Sequence, residues 1–294
     1  MRVLVVGSRG QLGAAVAHVF RRRHEVSALD RAALDITDAA AVRDTVGRLR
    51  PDVVINCVAW NAVDRAEDCP AEALRVNALA VRGLVRALGP ATLVHFSTDF
   101  VFDGTAERPY VETDAPNPIC VYAMSKLLGE WFAADAPRSY VLRVESLFGR
   151  APDGAAAKGS VETIVAALER RDRPRVFEDR VVTPTSVMDC AEATLALLET
   201  GAPFGLYHCV NPGAATWLDL AREAARILGV PAEVEAVRFA DVKFPAPRPK
   251  FCALDTSKLA AAGVPMRPWQ DALGAYLRER PAAGSRDARA RGSA

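Results

Sequence analysis

Short apolar runs alternate with segments of helical periodicity along the first half of the chain. Leu12, Val16 and Val19 fall on one helix face directly after a first apolar run. Two later runs are apolar throughout, which is typical of strands buried on both faces of a parallel sheet. The predicted strands are Arg2–Val6, Glu25–Leu29, Asp52–Ala59 and Leu93–Ser97, and the pattern over Pro70–Leu88 predicts a helix. Strands alternating with helices predict an α/β fold with a Rossmann-type doubly wound parallel sheet.

The composition changes from about Gly149 onward, where turn residues and charges become frequent. The pattern predicts helices over Val161–Arg171, Met188–Leu198 and Trp217–Leu228, and strands over Val176–Val182 and Leu206–Val210. We therefore expect a Rossmann domain over residues 1–149 and a smaller C-terminal substrate-binding lobe over 150–280, with some segments that return to the sheet. The Ala/Gly/Arg/Ser-rich tail, residues 281–294, is expected to be disordered.

Charge and composition exclude several classes of protein. The 294 residues carry a formal net charge of +1, so nothing favours a nucleic-acid surface. No apolar run approaches the length of a membrane span, and the first run is too short for a signal peptide. We therefore expect a cytoplasmic protein with no membrane or nucleic-acid partner. The six cysteines and four histidines show no metal-ligand spacing, which favours free thiols and no metal site.

A glycine-rich turn joins the first predicted strand to the first predicted helix. Gly7, Gly10 and Gly13 have the spacing G-x-x-G-x-x-G rather than G-x-G-x-x-G. A strand, a glycine turn and a helix together let a dinucleotide pyrophosphate approach the backbone and the positive end of the helix dipole. Glycines at such positions also form tight turns without any ligand. Their position after the first strand favours a dinucleotide site.

The end of the second predicted strand gives opposing signals about the nicotinamide cofactor. Asp30 is placed to bind the adenosine ribose hydroxyls and to repel a 2′-phosphate, which favours NAD. Arg9 and Arg31 are able to receive that phosphate, so NADH and NADPH both stay open. Asp35 and Ile36 are placed to frame the adenine, although a helix N-cap explains Asp35 equally well.

The pair Tyr122 and Lys126 carries the candidate chemistry. Residues four apart lie above one another on a helix face, and an ammonium group beside a phenol lowers the pKa of the phenol from about 10 toward neutrality. Such a phenol can protonate a carbonyl oxygen as a hydride arrives at the carbon. Alone, this spacing is more often a solvated helix face. It gains weight from four residues at the carboxyl ends of predicted strands, where ligands bind in such sheets. These are Gly7, Asp30, Ala59 and Thr98.

Four features in this order resemble the extended short-chain dehydrogenases/reductases: the glycine turn, Asn56–Ala59, Ser97–Asp99 and Tyr122-x-x-x-Lys126. Within that class, the chain is similar to the dTDP-4-dehydrorhamnose reductase family over nearly its whole length, to about Leu277. The run S-T-D-x-V-F-D-G is the most specific part. The similar stretches are Ala62–Glu67, Ser97–Gly104, Glu112–Pro118 and Val121–Glu130, followed more weakly by Thr183–Thr185, Gly205–His208, Thr216–Trp217 and Arg248–Pro249.

The resemblance implies reduction of the C4 ketone of a nucleotide-activated 4-keto-6-deoxy sugar by NADPH or NADH. It implies that Tyr122 protonates the C4 oxygen, that Lys126 lowers the pKa of Tyr122 and holds the nicotinamide ribose, and that Thr98 binds the substrate carbonyl. The implied cofactor contacts, besides Tyr122 and Lys126, are Gly7, Arg9, Gly10, Gln11, Leu12, Asp30, Arg31, Asp35, Ile36, Cys57, Val58, Ala59 and Asn77. The predicted substrate contacts are Trp60, Thr98, Asp99, Ser146, Trp217 and Arg248. Trp217 and Arg248 are the candidates for contacting the nucleotide or diphosphate, although interdomain packing or a solvated charge explains either residue equally well.

The chain departs from the family pattern after the predicted strand Ser139–Val144. The family sequence R-T-S-W-V-Y-G is R-V-E-S-L-F-G here, so Ser146 replaces an aromatic residue expected near the sugar, and Glu145 adds a charge. Trp60 also stands where the family usually has a smaller or different ring. These changes affect the expected identity of the sugar more than the reaction class.

Two alternatives to a reductase stay open. A nucleotide-sugar epimerase would oxidise and re-reduce the sugar with tightly held NAD, whereas a dehydratase is disfavoured because Phe100, rather than a second acid, follows Asp99. The other alternative is a non-catalytic NADP-binding regulatory protein on the same scaffold, similar to the regulatory subunit of methionine adenosyltransferase. Homodimers are common in this superfamily, and no stretch of the sequence proves one.

Overall fold

The computed structural model describes residues 1–152 and 157–280; the tail predicted to be disordered, residues 281–294, lies outside the described residues. The strands are β1 (Arg2–Val6), β2 (Glu25–Leu29), β3 (Val53–Asn56), β4 (Thr92–Thr98), β5 (Ser139–Val144), β6 (Leu147–Phe148), β7 (Arg175–Phe177), β8 (Val181–Val182), β9 (Thr185–Ser186), β10 (Gly205–His208), β11 (Ala215–Thr216) and β12 (Glu235–Val237).

The helices follow the strands in the alternating order that the sequence pattern predicts for the first half. They are α1 (Gln11–Phe20), α2 (Ala39–Leu49), α3 (Val63–Asp68), α4 (Pro70–Leu74), α5 (Ala80–Ala87), α6 (Val121–Ala134), α7 (Ser160–Glu169), α8 (Val187–Thr200), α9 (Trp217–Leu228), α10 (Ser257–Ala261) and α11 (Trp269–Glu279). A π-helical turn, Arg75–Leu79, joins α4 to α5, and two 3-10 turns span Asp99–Val101 and Phe239–Asp241. No helix of the described ranges is both long enough and apolar enough to cross a membrane.

Six strands form one parallel sheet in the order β2-β1-β3-β4-β5-β10. Every residue of β3, β4 and β5 is buried, which explains the apolar runs in these strands and places the polar side chains of β4 and β5 in the interior as well. The predicted doubly wound parallel sheet is therefore confirmed. The strand order reverses between β1 and β3, and ligands bind at the carboxyl ends of the strands beside such a switch point.

Helices cover both faces of the sheet. On one face, α1 and α8 pack against the sheet around Val5, Val16 and Leu142. On the other, α2, α5 and α6 enclose a second apolar cluster that includes Leu4, Val54 and Leu84. The second half of the chain thus contributes both α8 and the edge strand β10 to this sheet.

A third apolar cluster lies away from the sheet, between α7, α9 and α11. It includes Ile164, Leu220 and Leu273. Helix α9 begins here because Thr216 and Asp219 form a capping box: the Thr216 Oγ1 atom accepts from the Asp219 N–H at 3.0 Å, and the Asp219 carboxylate accepts from the Thr216 N–H at 3.0 Å. This cap fixes the position of Trp217, the first residue of α9.

Two predicted strands differ from the structure. The predicted strand Val176–Val182 is wrong, because the chain bends at Asp179, whose carboxylate accepts from the Phe239 N–H at 2.7 Å. The two halves therefore become β7 and β8, which pair with β12 and β11 respectively. The predicted strand Asp52–Ala59 was too long. It ends at Asn56 because the Asn56 Oδ1 atom accepts from the Val58 N–H at 3.1 Å and turns the backbone.

Candidate active site

The glycine turn brings β1 and α1 into close contact. Gly7 has a φ of 80°, a conformation that L side chains rarely adopt, and a Cβ there would lie 3.0 Å from the backbone of Cys57. A Cβ at Gly13 would lie 2.3 Å from the Gly7 carbonyl oxygen. The first N–H groups of a helix have no partner inside the helix, and Gly10 and Gln11 at the start of α1 line the adjoining crevice. This backbone cradle, which side chains would fill, fits a dinucleotide pyrophosphate.

The first cavity, of about 290 Å³, lies at the carboxyl ends of β1, β2 and β3. Arg9 Nε lies 2.9 Å from Asp30 Oδ2, and Arg31 Nε lies 3.7 Å from Asp35 Oδ2. Asp30, which favours NAD, therefore pairs with Arg9, and Arg31 pairs with Asp35. The pKa of Asp35 is lowered, first by hydrogen bonds from the Thr37 backbone and side chain. The predicted contacts that line this cavity are Gly7, Arg9, Gly10, Asp30, Arg31, Asp35, Ile36, Cys57, Val58, Ala59 and Trp60.

The second cavity, of about 420 Å³, lies at the carboxyl ends of β4 and β5. It shares Gly10, Cys57, Ala59 and Asn61 with the first cavity, so the two form one groove across the switch point of the sheet. The predicted residues that line it are Gly10, Gln11, Leu12, Cys57, Ala59, Thr98, Asp99, Tyr122, Lys126, Ser146 and Trp217. The groove therefore brings together nearly all of the residues that the sequence singled out.

Helix α6 positions Tyr122 and Lys126 on the wall of the second cavity. The helix begins at Val121, whose N–H donates to Glu67 Oε1 at 2.9 Å. Both side chains are buried, and the ring of Phe100 packs edge-on against Tyr122 with 5.7 Å between the ring centroids. The Lys126 Nζ atom donates to the Phe96 carbonyl oxygen at 2.6 Å. Burial lowers the pKa of Lys126 to about 8, against a smaller opposing effect of Glu130.

The prediction that Lys126 lowers the pKa of Tyr122 is wrong for this structure. Burial raises the pKa of Tyr122, and the charge of Asp99 raises it further, although a hydrogen bond with the Thr98 side chain opposes these effects. The Lys126 ammonium group is directed to the backbone of β4 instead. The phenol therefore keeps its proton at neutral pH, which is the state that a proton donor requires.

Thr98 ends β4 beside the Tyr122 phenol. Its hydroxyl donates to Asp99 Oδ1 at 2.9 Å and accepts from the Phe100 N–H at 3.3 Å. The second bond begins the 3-10 turn after the strand and holds the hydroxyl at the edge of the sheet. Thr98 and Tyr122 are thus two polar groups with exchangeable protons on the same side of the cavity.

Two buried acids stand at the ends of neighbouring strands. Thr98 of β4 pairs in register with Val144 of β5, so the next residues, Asp99 and Glu145, come together at one edge of the sheet. A left-handed backbone conformation at Ser146, with a φ of 43°, then turns the chain toward β6. Burial raises the pKa of Asp99 to about 6, and it raises the pKa of Glu145 well above its usual value, with the charge of Asp99 adding to the effect.

Two predicted contacts do not line the groove. The Asn77 side chain is buried, where it accepts from the Trp60 N–H at 2.8 Å and donates to Ser125 Oγ at 2.9 Å. It therefore ties the segment after β3 to α6. Arg248 forms two hydrogen bonds of 2.8 Å with the Asp64 carboxylate. A guanidinium group engaged in this way is not directed to a diphosphate.

Trp60, predicted as a substrate contact, lines the first cavity rather than the second. Among the residues of the second cavity that sequence reasoning missed as contacts are Phe100, Glu145 and Arg180. Of these three, only Glu145 could have been predicted from the sequence, because it directly follows the predicted strand Ser139–Val144, as Thr98 follows Leu93–Ser97. The bend at Asp179, which directs Arg180 to the cavity, has no comparable pattern.

A parallel sheet with a glycine-lined groove at its switch point, and with a tyrosine–lysine pair and a threonine in that groove, defines a nicotinamide-dependent oxidoreductase of the short-chain type. Comparison with known proteins narrows this class. The family model described as RmlD substrate binding domain matches residues 1–281. The dTDP-4-dehydrorhamnose reductase of Streptomyces griseus is 40% identical over 284 residues, which cover 92% of this chain and 91% of that protein.

A second relative and a solved structure agree with this match. The dTDP-4-keto-6-deoxy-D-glucose reductase of Streptomyces niveus is 36% identical over 279 residues, which cover 92% of this chain and 95% of that protein. The crystal structure of Bacillus anthracis dTDP-4-dehydrorhamnose reductase in complex with NADP superposes with a TM-score of 0.88 at 29% identity, over 95% of this chain and 99% of that one. This chain belongs to the dTDP-4-dehydrorhamnose reductase family, whose members are NAD(P)H-dependent oxidoreductases.

Proposed function

We propose that this chain reduces the C4 ketone of a dTDP-4-keto-6-deoxy sugar with NADPH or NADH. The observation that carries the proposal is the meeting of Tyr122, Lys126 and Thr98 in one cavity that is continuous with the glycine-lined cradle. The names of the relatives supply the substrate class, since they are reductases of dTDP-4-dehydrorhamnose and of dTDP-4-keto-6-deoxy-D-glucose.

Each of the three side chains has a role that its environment supports. The nicotinamide cofactor, when bound, supplies a hydride to the carbonyl carbon. Tyr122 gives its proton to the carbonyl oxygen, because burial keeps that proton on the phenol until the oxygen gains charge. The Thr98 hydroxyl, which donates to Asp99 Oδ1 in the free protein, turns to donate a second hydrogen bond to the same oxygen. Lys126 is largely protonated at neutral pH, and its remaining N–H groups hold the cofactor ribose.

The rest of the groove divides between cofactor and substrate. Gly7, Gly10 and Gln11 would hold the pyrophosphate, and Asp30, with the residues around it in the first cavity, would hold the adenosine. Asp99, Ser146 and Trp217 would contact the nucleotide sugar in the second cavity. We assign cofactor binding to residues 1–149, which also contribute Asp99 and Ser146 to the substrate site, and we assign the rest of the substrate-binding lobe, with Trp217, to residues 150–280.

Assembly and location belong to the same proposal. Met124 and Trp131 lie seven residues apart on one face of α6, and both are exposed, Trp131 to 61%. Leu79, in the adjoining π-helical turn, is exposed as well. We infer that a second copy of the chain covers this apolar face and that the homodimer works in the cytoplasm. Sedimentation of the wild type as a dimer and of Trp131→Glu as a monomer would support the interface, whereas a monomeric wild type would contradict it.

The decisive experiment is cofactor oxidation with dTDP-4-keto-6-deoxy-L-mannose, followed by absorbance for the wild type and for Tyr122→Phe. We expect the wild type to turn over and the variant to lose activity on the order of 10²–10⁴-fold, with cofactor binding retained. Tyr207→Phe is the matched control, because it removes one buried phenol that donates to the Pro203 carbonyl outside the groove. A wild type that oxidises neither cofactor with this substrate or with other dTDP-4-keto-6-deoxy sugars would refute the proposal.

A further inference from the structure

Asp99 and Glu145 are two acids buried together without a paired base. They are 4% and 2% exposed, and a carboxylate oxygen of each lies within 4.8 Å of the other. Neither forms an ion pair within 4 Å in the part of the chain that the structure describes. Glu145 also has no part in the proposed reduction, in which Tyr122, Lys126 and Thr98 act on the substrate and cofactor.

The hydrogen bonds of Glu145 distinguish its two oxygens. The Oε2 atom accepts from the Thr183 N–H at 2.8 Å and from the Thr183 hydroxyl. The Oε1 atom is buried, and no donor reaches it among the described residues. An ionised carboxylate would leave charge on a buried, unsatisfied oxygen, which is costly. A proton on the carboxyl group removes that charge, and the Asp99 carboxylate, with one oxygen within 4.8 Å of an oxygen of Glu145, is placed to share it.

Asp99 is in turn connected to the proposed proton donor of the reaction. Its Oδ1 atom accepts from Thr98 Oγ1 at 2.9 Å, and Thr98 lines the same cavity as Tyr122, where its side chain lowers the pKa of the phenol. Four groups with exchangeable protons therefore stand in order from the end of β5 to α6: Glu145, Asp99, Thr98 and Tyr122. Tyr122 is buried, so it gains from an internal source of protons after it has given its own to the substrate.

We propose that Glu145 and Asp99 share one proton and return it to Tyr122 through the hydroxyl of Thr98 after each reduction. The inference rests on the proposed function. In the free protein the Thr98 hydroxyl donates to Asp99 Oδ1, so the relay requires it to turn to the Tyr122 phenolate and give up its proton there. The Thr98 oxygen then takes from Asp99 the proton that the two acids share, and the ionised pair regains one proton from solvent in the cavity. No bond other than O–H forms or breaks, and nothing is oxidised or reduced.

The surrounding charges are consistent with a shared proton. Burial is the largest cause of the raised pKa of both acids and of the neighbouring Cys252 thiol, while the positive charge of Arg180 opposes it in all three. The Arg180 guanidinium lies between the rings of Phe100 and Phe239, with Nη2 4.0 Å from Cys252 Sγ. A cation bound by the acids and the thiol is disfavoured, because this guanidinium already supplies positive charge there.

Rapid mixing of enzyme, NADPH and substrate separates a proton relay from a structural role. In Glu145→Gln we expect the first turnover at the wild-type rate, because Tyr122 starts protonated. Later turnovers should slow on the order of 10²-fold, and a small buffer acid such as imidazole should restore them. Glu145→Asp should retain part of the rate, and the exposed control Glu235→Gln should match the wild type. A first turnover slowed as much as the later ones, or a steady state that does not change, would overturn the relay.

A spectroscopic measurement tests the shared proton without turnover. Infrared difference spectra of the NADP-bound protein should contain the C=O stretch of a buried protonated carboxyl group at neutral pH. That band should be lost in Glu145→Gln and shifted in Asp99→Asn, and it should persist in Glu235→Gln. If the wild type shows the band but reduces no keto sugar, the proposed function fails while the carboxyl pair stands. If the band is missing, the inference fails whatever the substrate.

Discussion

At the end of the groove beside Gly7 the charged side chains lie near the surface and pair with one another, whereas at the end beside Tyr122 they are buried and unpaired. The Arg9 guanidinium is 85% exposed and bonds Asp30. Asp99 and Glu145 face each other in the interior. Exposed pairs contribute little to stability and can exchange partners when a ligand arrives. Buried acids change their protonation instead, so the first end is suited to binding and the second to proton transfer.

A buried ion pair outside the groove, Glu130 with Arg143, shows that a buried acid in this protein can have a basic partner. Glu130 of α6 is as buried as Asp99, and Arg143 of β5 donates to it through two hydrogen bonds of 2.9 and 2.8 Å. A matched guanidinium keeps a buried carboxylate ionised. Glu145 lies two residues beyond Arg143 and has no such partner, so the difference is specific to the groove.

The largest expected effect comes from Gly13→Ala, which disturbs both ends of the groove at once. The new Cβ would lie 2.3 Å from the Gly7 carbonyl oxygen, so β1 and α1 must separate. We expect NADPH binding to be lost and the free energy of unfolding to fall by about 1–3 kcal/mol, measured by cofactor fluorescence and denaturant unfolding. Gly47→Ala in α2 is the control, because its Cβ meets nothing within 4 Å. If Gly13→Ala binds NADPH as the wild type does, the glycine-lined cradle is not the site of the pyrophosphate.

The second largest effect is expected at the buried end of the groove, where NADPH binding should depend on the protonation of Lys126. The pKa of Lys126 is about 8 and that of Tyr122 is raised, so Lys126 is the group that loses its proton as the pH rises through 8. The loss of positive charge should weaken NADPH binding on the order of tenfold, the equivalent of about one pKa unit or 1.4 kcal/mol. Lys126→Met should bind weakly at all pH values, and the exposed control Lys258→Met should follow the wild type. A wild-type affinity that is flat to pH 9 would contradict this assignment.

A smaller effect is expected at the exposed end, from Asp30→Ala. The substitution removes the carboxylate that repels a 2′-phosphate and frees Arg9 to bind one. The ratio of kcat/KM for NADPH to that for NADH should rise several-fold, on the scale of about 1 kcal/mol for an exposed charge pair. Asp44→Ala, on the exposed side of α2, should leave the ratio unchanged. A ratio that falls would mean that Asp30 positions Arg9 for the phosphate rather than competing with it.

The smallest effect is expected for Arg248→Ala, at the border of the groove. Because Arg248 is engaged by Asp64 and lies over the ring of Phe244, the KM for the nucleotide sugar should stay within about twofold. The ion pair is partly exposed, through Asp64 at 45% rather than Arg248 at 15%, and its loss should cost about 1 kcal/mol of stability, measured by thermal unfolding. A large rise in the KM for the nucleotide sugar without loss of stability would instead indicate that Arg248 binds the diphosphate.

Local patterns were enough to predict the sheet and the motif residues. The alternation of apolar runs with helical periodicity located β1 to β5, and the glycine turn and the Tyr122/Lys126 spacing are short-range features of one element each. The boundary errors have local causes that hydrophobicity does not encode. Asn56 ends β3 with a side-chain hydrogen bond, and Asp179 divides a predicted strand by bonding a residue 60 positions away.

The parts of the site that could not be predicted depend on contacts between distant segments. Arg248 bonds Asp64, which is 184 positions away in the sequence, and no local pattern at either residue indicates that the other is its partner. The pKa of Tyr122 depends on burial and on Asp99, so the Tyr-x-x-x-Lys spacing alone gave the wrong direction. Asp99 and Glu145 became neighbours through the register of β4 and β5, which only the paired sheet defines.

The packing of α8 on α1, together with β10 at the sheet edge, has a consequence for how the protein is made. Apolar side chains of α1 share one cluster with residues from Val187 to Val264, more than a hundred positions further along the chain. A chain emerging from the ribosome therefore presents its dinucleotide-binding strands long before the helix that covers them exists. The first half must remain incompletely folded, and exposed to chaperones, until most of the second half has been synthesised.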